Sequence, residues 1–361
     1  MNRSVAAGSP TLGAARPNRR CIVDGLRWGL VGASDIAATS IIPAIRAQPG
    51  SRVVAVHSRS QERGAAYARR HGIERSHATL DALLGDDEVD AVYVSTTNDR
   101  HRAETIAAVG AGRHVLCEKP LALTVRDARA MVDAASAAGV VLATNHGRRN
   151  DPAVRAARDL LRAGALGAPL GARTVTAVLL AEHLRSWRLR GGPGGGVALD
   201  LLVHDADTLR FVLDDDVVSV QASATSQGLE AGAGEAGDRA EDVIAGVLSM
   251  AGGPVASFLC SYSTPHGAGA LEVFGDQASL RAWREPGRPS GLLLRTAAGE
   301  QPVPLADSPP IGVTTIAAFE AAVRGEGRPS ATGEDGVASL GVALAARESA
   351  RMGMRRPVET R

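Results

Sequence analysis

The chain is poor in lysine, in aromatic residues and in cysteine, and each shortage narrows the possibilities. Of its 40 basic residues only Lys119 is a lysine, and Phe, Trp and Tyr make up 3% of the 361 residues. The core must therefore consist mainly of Ala, Val and Leu. The three cysteines are scattered and form no Cys-x-x-Cys pair, which argues against a disulfide framework or a zinc site. We predict no bound metal.

Long apolar runs and an excess of one charge are also missing. No apolar stretch reaches the ~18 residues that a membrane-spanning helix needs. A formal net charge of +1, with acids and arginines interspersed, lacks the basic footprint of a nucleic-acid-binding protein. We therefore predict a cytoplasmic globular protein that binds neither nucleic acid nor membranes.

Three stretches of different character divide the chain. Residues 1–25 have no periodicity, which predicts a disordered extension, with a misassigned start as the alternative. Strict β–α alternation over 26–149 predicts a dinucleotide-binding Rossmann domain with a doubly wound parallel sheet. Residues 150–361 contain many short alternating segments, which predict an α+β domain on a large, mostly antiparallel sheet. We assign substrate binding and oligomerisation to this second domain.

A glycine-containing turn opens the first predicted domain. The apolar strand Leu26–Val31 leads into Gly32-Ala-Ser-Asp-Ile-Ala37, a form of G-x-G-x-x-G/A with Ser34 at the second glycine position. The turn and the N–H groups of the following helix suit a pyrophosphate. The residues predicted to hold it are Gly32, Ala33, Ser34, Asp35 and Ile36. The alternative is an ordinary turn between a strand and a helix.

The end of the next strand indicates which dinucleotide binds. After Arg52–His57, where an NAD site places a carboxylate, the chain has Ser58 and Arg59, with Arg63 one turn later. Hydroxyl and guanidinium donors suit a 2′-phosphate. NADP is therefore the predicted cofactor, with NAD possible, and a solvated helix start is the alternative.

The single lysine stands at the end of a strand. Strand His114–Cys117 runs into Glu118-Lys119-Pro120 and must stop there, because proline cannot donate to a sheet ladder. Ligands of such sheets bind at this carboxyl edge. A partly buried lysine can exchange a proton, whereas arginine cannot. We predict Lys119 as the reactive centre; a solvated residue at a strand exit is the alternative.

A second ionisable group follows a glycine run at 191–196. A helix over 197–210 would place Asp200, His204 and Asp207 on one face. An acid four residues before a histidine can orient its ring, which leaves the other nitrogen to exchange a proton. Apolar neighbours indicate a buried helix, in which such a pair is costly. A charged cap on a surface helix is the alternative.

These motifs together resemble the Gfo/Idh/MocA family (glucose–fructose oxidoreductase, inositol dehydrogenase and rhizopine-catabolism proteins) from about Leu26 onward. The similarity rests on five motifs: 32–37, Ser95-Thr-Thr-Asn98 with His101, Glu118-Lys-Pro120, Gly194–Gly196 and Asp200-x-x-x-His204. It implies that Lys119 and His204 lie beside the nicotinamide, with His204 passing the proton. It also implies that Asp200 orients His204 or binds substrate, and that Pro120 is cis.

The resemblance implies the remaining site residues as well. The cofactor site would be completed by Ser95, Thr96, Thr97, Asn98, His101, Glu118 and Lys119. The substrate pocket would contain Arg149, Thr176, His183, Trp187 and Arg188. Compared with one sugar reductase of the family, Thr176 replaces an active-site histidine and Gly147-Arg148 replaces a His-Leu pair.

The predicted function is NADP(H)-dependent hydride transfer to or from a carbonyl or alcohol of a sugar, anhydrosugar or cyclitol. Two alternatives remain open: a glycosidase or lyase of the same family that uses transient sugar oxidation by bound NAD, and a non-catalytic nucleotide-binding protein. An antiparallel sheet with one uncovered face predicts a homodimer or homotetramer.

Overall fold

The computed structural model describes residues 25–192, 194–226, 229, 239–283 and 289–360. The predicted disordered extension, apart from Gly25, lies outside the described residues. Within these ranges, no helix is long and apolar enough to cross a lipid bilayer.

The first sheet alternates with helices along the chain, and its recorded strand pairs are parallel. Its strands are β1 (Arg27–Val31), β2 (Arg52–His57), β3 (Arg75–His77), β4 (Ala91–Val94), β5 (His114–Cys117) and β6 (Leu142–Thr144). The spatial order is β3-β2-β1-β4-β5-β6. The order reverses between β1 and β4, so the loops after these two strands diverge and leave a crevice for a ligand. The predicted doubly wound parallel sheet is confirmed.

Local signals in the sequence start and stop the helices of this domain. They are α1 (Ile42–Arg46), α2 (Gln61–His71), α3 (Leu80–Leu84), α4 (His101–Gly110) and α5 (Val125–Ala138), and a π-helical turn at Ala37–Ile41 precedes α1. The Ser60 and Thr124 hydroxyls accept the backbone N–H groups of Arg63 and Asp127 and so cap α2 and α5. Both helices end at a left-handed glycine, Gly72 and Gly139.

The second sheet is large and mostly antiparallel. Helices α6 (Pro152–Arg162) and α7 (Val203–Leu213) belong to this part, and the strands are β7 (Pro169–Leu179), β8 (Val217–Thr225), β9 (Val243–Met250), β10 (Val255–Ser261), β11 (Ser263–Gly275), β12 (Ser279–Trp283), β13 (Gly291–Thr296), β14 (Gly299–Pro302) and β15 (Arg356–Pro357). Their order is β14-β13-β12-β11-β7-β10-β9-β8-β15, with only β7 and β10 parallel among the recorded pairs. The predicted α+β architecture is confirmed.

The last two helices, α8 (Ile311–Arg324) and α9 (Gly333–Met352), return to the first sheet. Phe319 of α8 packs on Trp28 with ring centroids 5.0 Å apart, and the Trp28 indole N–H donates to Glu320 at 3.0 Å. Leu340 of α9 lies in the core of the first sheet, whereas Ala346 lies in that of the second. The domain boundary at residues 149/150 stays a proposal. Helix α9 contributes side chains to the cores of both sheets and so joins them.

Candidate active site

A cleft of about 1090 Å³ opens at the carboxyl edge of the parallel sheet and also borders α7 and α8. It brings together nearly all the residues that the sequence predicted for the site. These are Gly32, Ala33, Ser34, Asp35, Ile36, Ser58, Arg59, Arg63, Ser95, Thr96, Thr97, Asn98, His101, Glu118, Lys119, His183, Trp187, Arg188, Asp200 and His204. Arg149 and Thr176 do not line it.

The turn after β1 has the geometry that a pyrophosphate site needs. Gly32 has φ +108°, and a Cβ there would lie 3.1 Å from the Ser95 carbonyl oxygen, so only glycine fits. The Ser34 hydroxyl accepts the Ala37 N–H at 3.2 Å and lies 2.8 Å from the Ser95 hydroxyl. Ser34 thus binds an N–H group at the start of a helical segment whose first residues, Asp35 and Ile36, line the cleft. These residues fit a dinucleotide.

The segment after β2 braces this turn. Arg63 donates from Nη2 to the Ala33 carbonyl at 2.8 Å, and the Tyr67 hydroxyl donates to the Ser34 carbonyl at 2.9 Å. Burial and the nearby Asp35 carboxylate raise the pKa of Tyr67 to about 12, so its hydroxyl remains a donor. Ser58 and Arg59 line the same end of the cleft, with the Arg59 side chain exposed.

Two residues that the sequence did not reveal anchor Glu118. Its Oε1 accepts a hydrogen bond from the Tyr93 hydroxyl and another from Asn145 Nδ2 at 2.6 Å. Burial and the Glu118 carboxylate hold the pKa of Tyr93 far above its usual value, which keeps its hydroxyl protonated. The residue before Lys119 is therefore fixed from two neighbouring strands.

His101 joins the two loops that flank the cleft. It is fully buried, with Nδ1 2.9 Å from the Pro120 carbonyl oxygen and Nε2 3.2 Å from the Thr96 carbonyl oxygen. The Lys119–Pro120 peptide is cis, as the family resemblance implied. Both ring nitrogens face protein carbonyls, so His101 braces these loops.

Lys119 is held by Asp200. Its Nζ donates to the Asp200 carbonyl oxygen at 3.0 Å and forms an ion pair with the Asp200 carboxylate. The other carboxylate oxygen accepts the Tyr262 hydroxyl at 2.6 Å and Arg188 Nε at 3.2 Å. No spacing rule pointed to Tyr262, which lies 62 residues away in the chain.

Electrostatic interactions set the protonation states of Asp200 and Tyr262. Burial alone would raise the pKa of the Asp200 carboxyl, but the charges of Lys119 and Arg188, with the hydrogen bonds from Lys119 and Tyr262, outweigh it and hold this pKa well below its usual range. Burial and the Asp200 carboxylate raise the pKa of Tyr262 far above its ordinary value. Asp200 is therefore ionised and Tyr262 is a neutral donor.

The helix predicted over 197–210 is not α-helical throughout. Ala198–Leu202 forms a π-helical turn that leads into α7, so α-helical spacing does not describe the relation of Asp200 to its neighbours. Asp200 and His204 line the cleft, whereas Asp207 is buried against Arg149. The expectation that all three share one face is corrected, and Asp200's orientation of His204 stays a prediction.

Arg149 belongs to a buried ion-pair network. It donates to Asp207 at 2.9 and 2.6 Å, to Asp335 at 3.1 Å and to the Ser330 carbonyl at 3.2 Å. These bonds use each of its nitrogens, so the placement of Arg149 in the substrate pocket is corrected. Its neighbour Arg148 lines the cleft instead.

Thr176 is buried behind Arg148. Its hydroxyl donates to Asp205 at 2.7 Å and accepts from Arg148 Nη1 at 3.0 Å. Thr176 lines a second cavity of about 440 Å³. Its predicted place in the main cleft is therefore also corrected, since β7 directs its hydroxyl toward α7.

The arm before α7 forms the outer wall. The Arg188 guanidinium lies 4.5 Å from the centre of the Trp187 ring, and the Gly196 N–H donates to the Arg188 carbonyl at 2.8 Å. Asn98 Nδ2 donates to the Gly194 carbonyl at 2.9 Å and ties this arm to the first domain.

A second histidine, missed by the sequence analysis, lies behind His204. The His146 and His204 rings meet edge to face with centroids 5.7 Å apart, and His146 Nε2 lies 2.9 Å from the Ser339 hydroxyl. Burial lowers the pKa of His146, which favours its neutral form. Among the described residues, no group of three His, Cys, Asp or Glu side chains could hold a metal ion.

Comparison with known proteins agrees with this geometry. The profile of an "Oxidoreductase family, NAD-binding Rossmann fold" matches residues 26–146, and that of the "GFO/IDH/MocA C-terminal domain" matches residues 154–281. The two matches together cover more than half of the chain. The chain belongs to the Gfo/Idh/MocA oxidoreductase family.

Sugar oxidoreductases stand among the relatives of this Gfo/Idh/MocA protein. The chain is 49% identical to the 1,5-anhydro-D-fructose reductase of Ensifer adhaerens over 337 residues, 92% of this chain and 99% of that protein. It is 31% identical to the dTDP-3,4-didehydro-2,6-dideoxy-alpha-D-glucose 3-reductase of Streptomyces violaceoruber, over 90% and 92% of the two chains.

A solved structure of another oxidoreductase has a similar fold. The aldose–aldose oxidoreductase from Caulobacter crescentus, complexed with glycerol, superposes with a TM-score of 0.83 at 26% identity, covering 92% of this chain and 99% of that one. The protein is thus an oxidoreductase with an NAD(P)-binding Rossmann domain.

Proposed function

We propose that the protein transfers a hydride between NADP(H) and a carbonyl or alcohol of a sugar or anhydrosugar, in the manner of a 1,5-anhydro-D-fructose reductase. The observation that carries the proposal is the single lysine, ion-paired with Asp200 at the same end of the cleft as His204. The similarity to a named reductase over 92% of the chain supports the substrate class.

The cofactor proposal rests on the nucleotide end of the cleft. Gly32–Ile36 would hold the pyrophosphate, and Ser58, Arg59 and Arg63 would surround the 2′-position of the ribose. A 2′-phosphate gains charge-assisted hydrogen bonds from such donors. The Ser58 position, which in an NAD site carries a carboxylate, here carries a hydroxyl.

The charged and polar side chains of the site each have a role in the proposed hydride transfer. When bound, the nicotinamide supplies the hydride or accepts it. Lys119 donates a hydrogen bond to the reacting oxygen and stabilises the negative charge that develops there during reduction. His204 delivers the proton to this oxygen and withdraws it in the reverse direction. Asp200 holds the Lys119 ammonium, and Tyr262 and Arg188 hold Asp200.

The residues of the outer wall support the proposed substrate class. Trp187 provides a flat apolar face of the kind on which sugar rings pack. His183 and Arg188, which also line this wall, provide hydrogen-bonding groups. This combination suits a neutral ring that carries several hydroxyl groups.

We also propose a homodimer or homotetramer that buries the outer face of the second sheet. Val247 on β9, Val255 and Leu259 on β10, and Phe274 on β11 expose between 37% and 52% of their surface. Exposed apolar clusters on a sheet favour self-association. Light scattering on the purified protein tests this: a monomer at micromolar concentration would contradict it.

One experiment tests the catalytic proposal. The purified protein is mixed with NADPH or NADH and a panel of ketosugars that includes 1,5-anhydro-D-fructose, and loss of the reduced cofactor is followed at 340 nm. We expect NADPH loss matched by formation of one alcohol. Cleavage of glycosides without net change in cofactor would favour the hydrolytic alternative, and nucleotide binding without turnover of any sugar would favour a non-catalytic protein.

A further inference from the structure

Arg148 forms the wall between the catalytic cleft and the second cavity. Its side chain lines both spaces. Its side chain is 23% exposed, so it is not sealed inside the protein. Arg149, the next residue, is buried in its own network, so these neighbours have opposite environments.

The guanidinium of Arg148 is held from one side. Its Nη1 donates to Asp205 Oδ1 at 2.7 Å and to the Thr176 hydroxyl at 3.0 Å. Asp205 is buried and also accepts from Thr176 at 2.7 Å and from the Cys260 thiol at 3.3 Å. The position of the side chain is therefore set by partners that are themselves fixed.

The other side of the guanidinium remains available. Both recorded bonds come from Nη1, and within the described ranges no recorded protein bond uses Nε or Nη2. These two nitrogens carry three N–H groups in a planar fork, which suits oxygen acceptors.

Arg148 borders the reacting end of the cleft. Its partner Asp205 directly follows His204, and Asn145, three residues before Arg148, holds Glu118 beside Lys119. The ion pair with Asp205 balances the charge of Arg148. A neutral hydroxyl group therefore suits this position better than a phosphate or carboxylate.

We propose that Arg148 is a specificity-determining residue whose free N–H groups bind a non-reacting hydroxyl group of the sugar substrate. Thr176 and Asp205 act as positioning residues for it. This assignment rests on the proposed function, since it concerns the sugar that the catalytic groups act on.

The test follows kcat and KM for 1,5-anhydro-D-fructose and its 3-, 4- and 6-deoxy analogues with NADPH. In the parent, we expect one analogue to lose about ten- to a hundredfold in kcat/KM, since it lacks the acceptor for a charged donor. In Arg148→Leu, kcat/KM for the full sugar falls by this same factor, mainly through KM. In this variant, the analogue that loses activity in the parent has the same kcat/KM as the full sugar. The kcat/KM ratios of the other two analogues to the full sugar stay as in the parent.

Removal of Arg148 leaves the Asp205 carboxylate buried without its cation, so Arg148→Leu is paired with Arg148→Leu/Asp205→Asn, which removes both charges. Arg155→Leu is the matched control, because Arg155 is exposed on α6. In this control, we expect the kcat/KM ratios of the deoxy analogues to the full sugar to equal those of the parent. Identical deoxy ratios in the parent and in both Arg148 variants would overturn the assignment.

If the parent turns over no ketosugar, the proposed function fails, and sugar binding then tests Arg148 alone. Saturation-transfer NMR measures binding of 1,5-anhydro-D-glucitol to the protein with NADP⁺. Binding weakened about tenfold or more in Arg148→Leu/Asp205→Asn, but not in Arg155→Leu, supports the assignment. Equal binding by all three proteins, or no binding by the parent, overturns it.

Discussion

The two ends of the cleft are built in different ways. At the nucleotide end, the groups proposed to bind the pyrophosphate lie within a few residues of one another: Gly32 shapes the turn and the Ser34 hydroxyl accepts the Ala37 N–H in the helical segment that follows. At the catalytic end, Lys119 meets Asp200 across 81 residues of chain, and Asp200 meets Tyr262 across 62. One end depends on backbone conformation, and the other depends on how the two sheets pack together.

This difference has a physical consequence. A turn with a left-handed glycine and a helix N-terminus binds anions through backbone groups, which survive most side-chain changes. An ammonium ion-paired with a carboxylate inside the protein depends on every partner, because a buried charge is costly once its counter-charge is lost. Substitutions at the two ends should therefore separate cofactor binding from turnover.

The largest effect is expected for Lys119→Arg and His204→Asn. Arginine is larger and planar and cannot release a proton, and asparagine cannot carry one. We expect turnover to fall about 10²–10⁴-fold while NADPH binding stays parental. Cofactor titration and turnover are measured on the same preparations. Near-parental turnover of Lys119→Arg would show that the single lysine is not catalytic.

A similarly large effect, on stability alone, is expected for Arg149→Leu. The change leaves Asp207 buried without its cation and removes one of the two arginines that contact Asp335, the other being Arg210. Loss of a buried ion-pair partner of this kind costs about 3–5 kcal/mol in the free energy of unfolding. Urea denaturation measures it, with Arg155→Leu as the exposed control, expected within about 0.5 kcal/mol of the parent. Unchanged stability with a raised KM would return Arg149 to the substrate pocket.

A more moderate effect is expected at the nucleotide end. Ser58→Asp replaces a donor to the 2′-phosphate with a carboxylate that repels it. We expect NADPH affinity to fall about tenfold or more, with NADH still usable, because a hydrogen bond to a charged group contributes about 1.5–3 kcal/mol. Fluorescence titration with both cofactors checks this. Tighter binding of NADH than NADPH by the parent would contradict the predicted preference.

Tyr262→Phe should affect only the catalytic end. Loss of the hydrogen bond to Asp200 loosens the carboxylate that holds Lys119, so we expect kcat to fall about tenfold. NADPH affinity and KM should stay near parental values. Equal losses in kcat and in NADPH affinity would indicate a general loss of structure instead.

The smallest effect is expected from moderate acid. The folded-state pKa of Asp200 lies below its unfolded value, so the stabilisation by this carboxylate is complete above about pH 3.9 and is lost as the pH falls toward the lower folded-state pKa. The difference in unfolding free energy between the parent and Asp200→Asn should stay constant from pH 8 to 5 and shrink below pH 4. A difference that already shrinks between pH 7 and 5 would contradict this.

Adjacent arginines show where inference from the sequence stops. Arg148 and Arg149 follow the same strand and have the same chemistry, and the family resemblance implied that Arg149 contacts the substrate. The structure puts Arg149 against Asp207 of α7 and Arg148 against the cleft. No local pattern distinguishes them, because the direction of each side chain depends on where α7 and α9 pack.

The sequence by itself determined the parallel sheet, the turn at Gly32, the strand that stops at Lys119 and the nucleotide end of the cleft. These follow from periodicity, proline and glycine, which act over a few residues. Only the tertiary structure decided that Tyr262 holds Asp200, that His146 lies beside His204 and bonds Ser339, 193 residues further along the chain, and that Ala198–Leu202 is π-helical. Such contacts form when distant elements pack, and chain spacing carries no record of them.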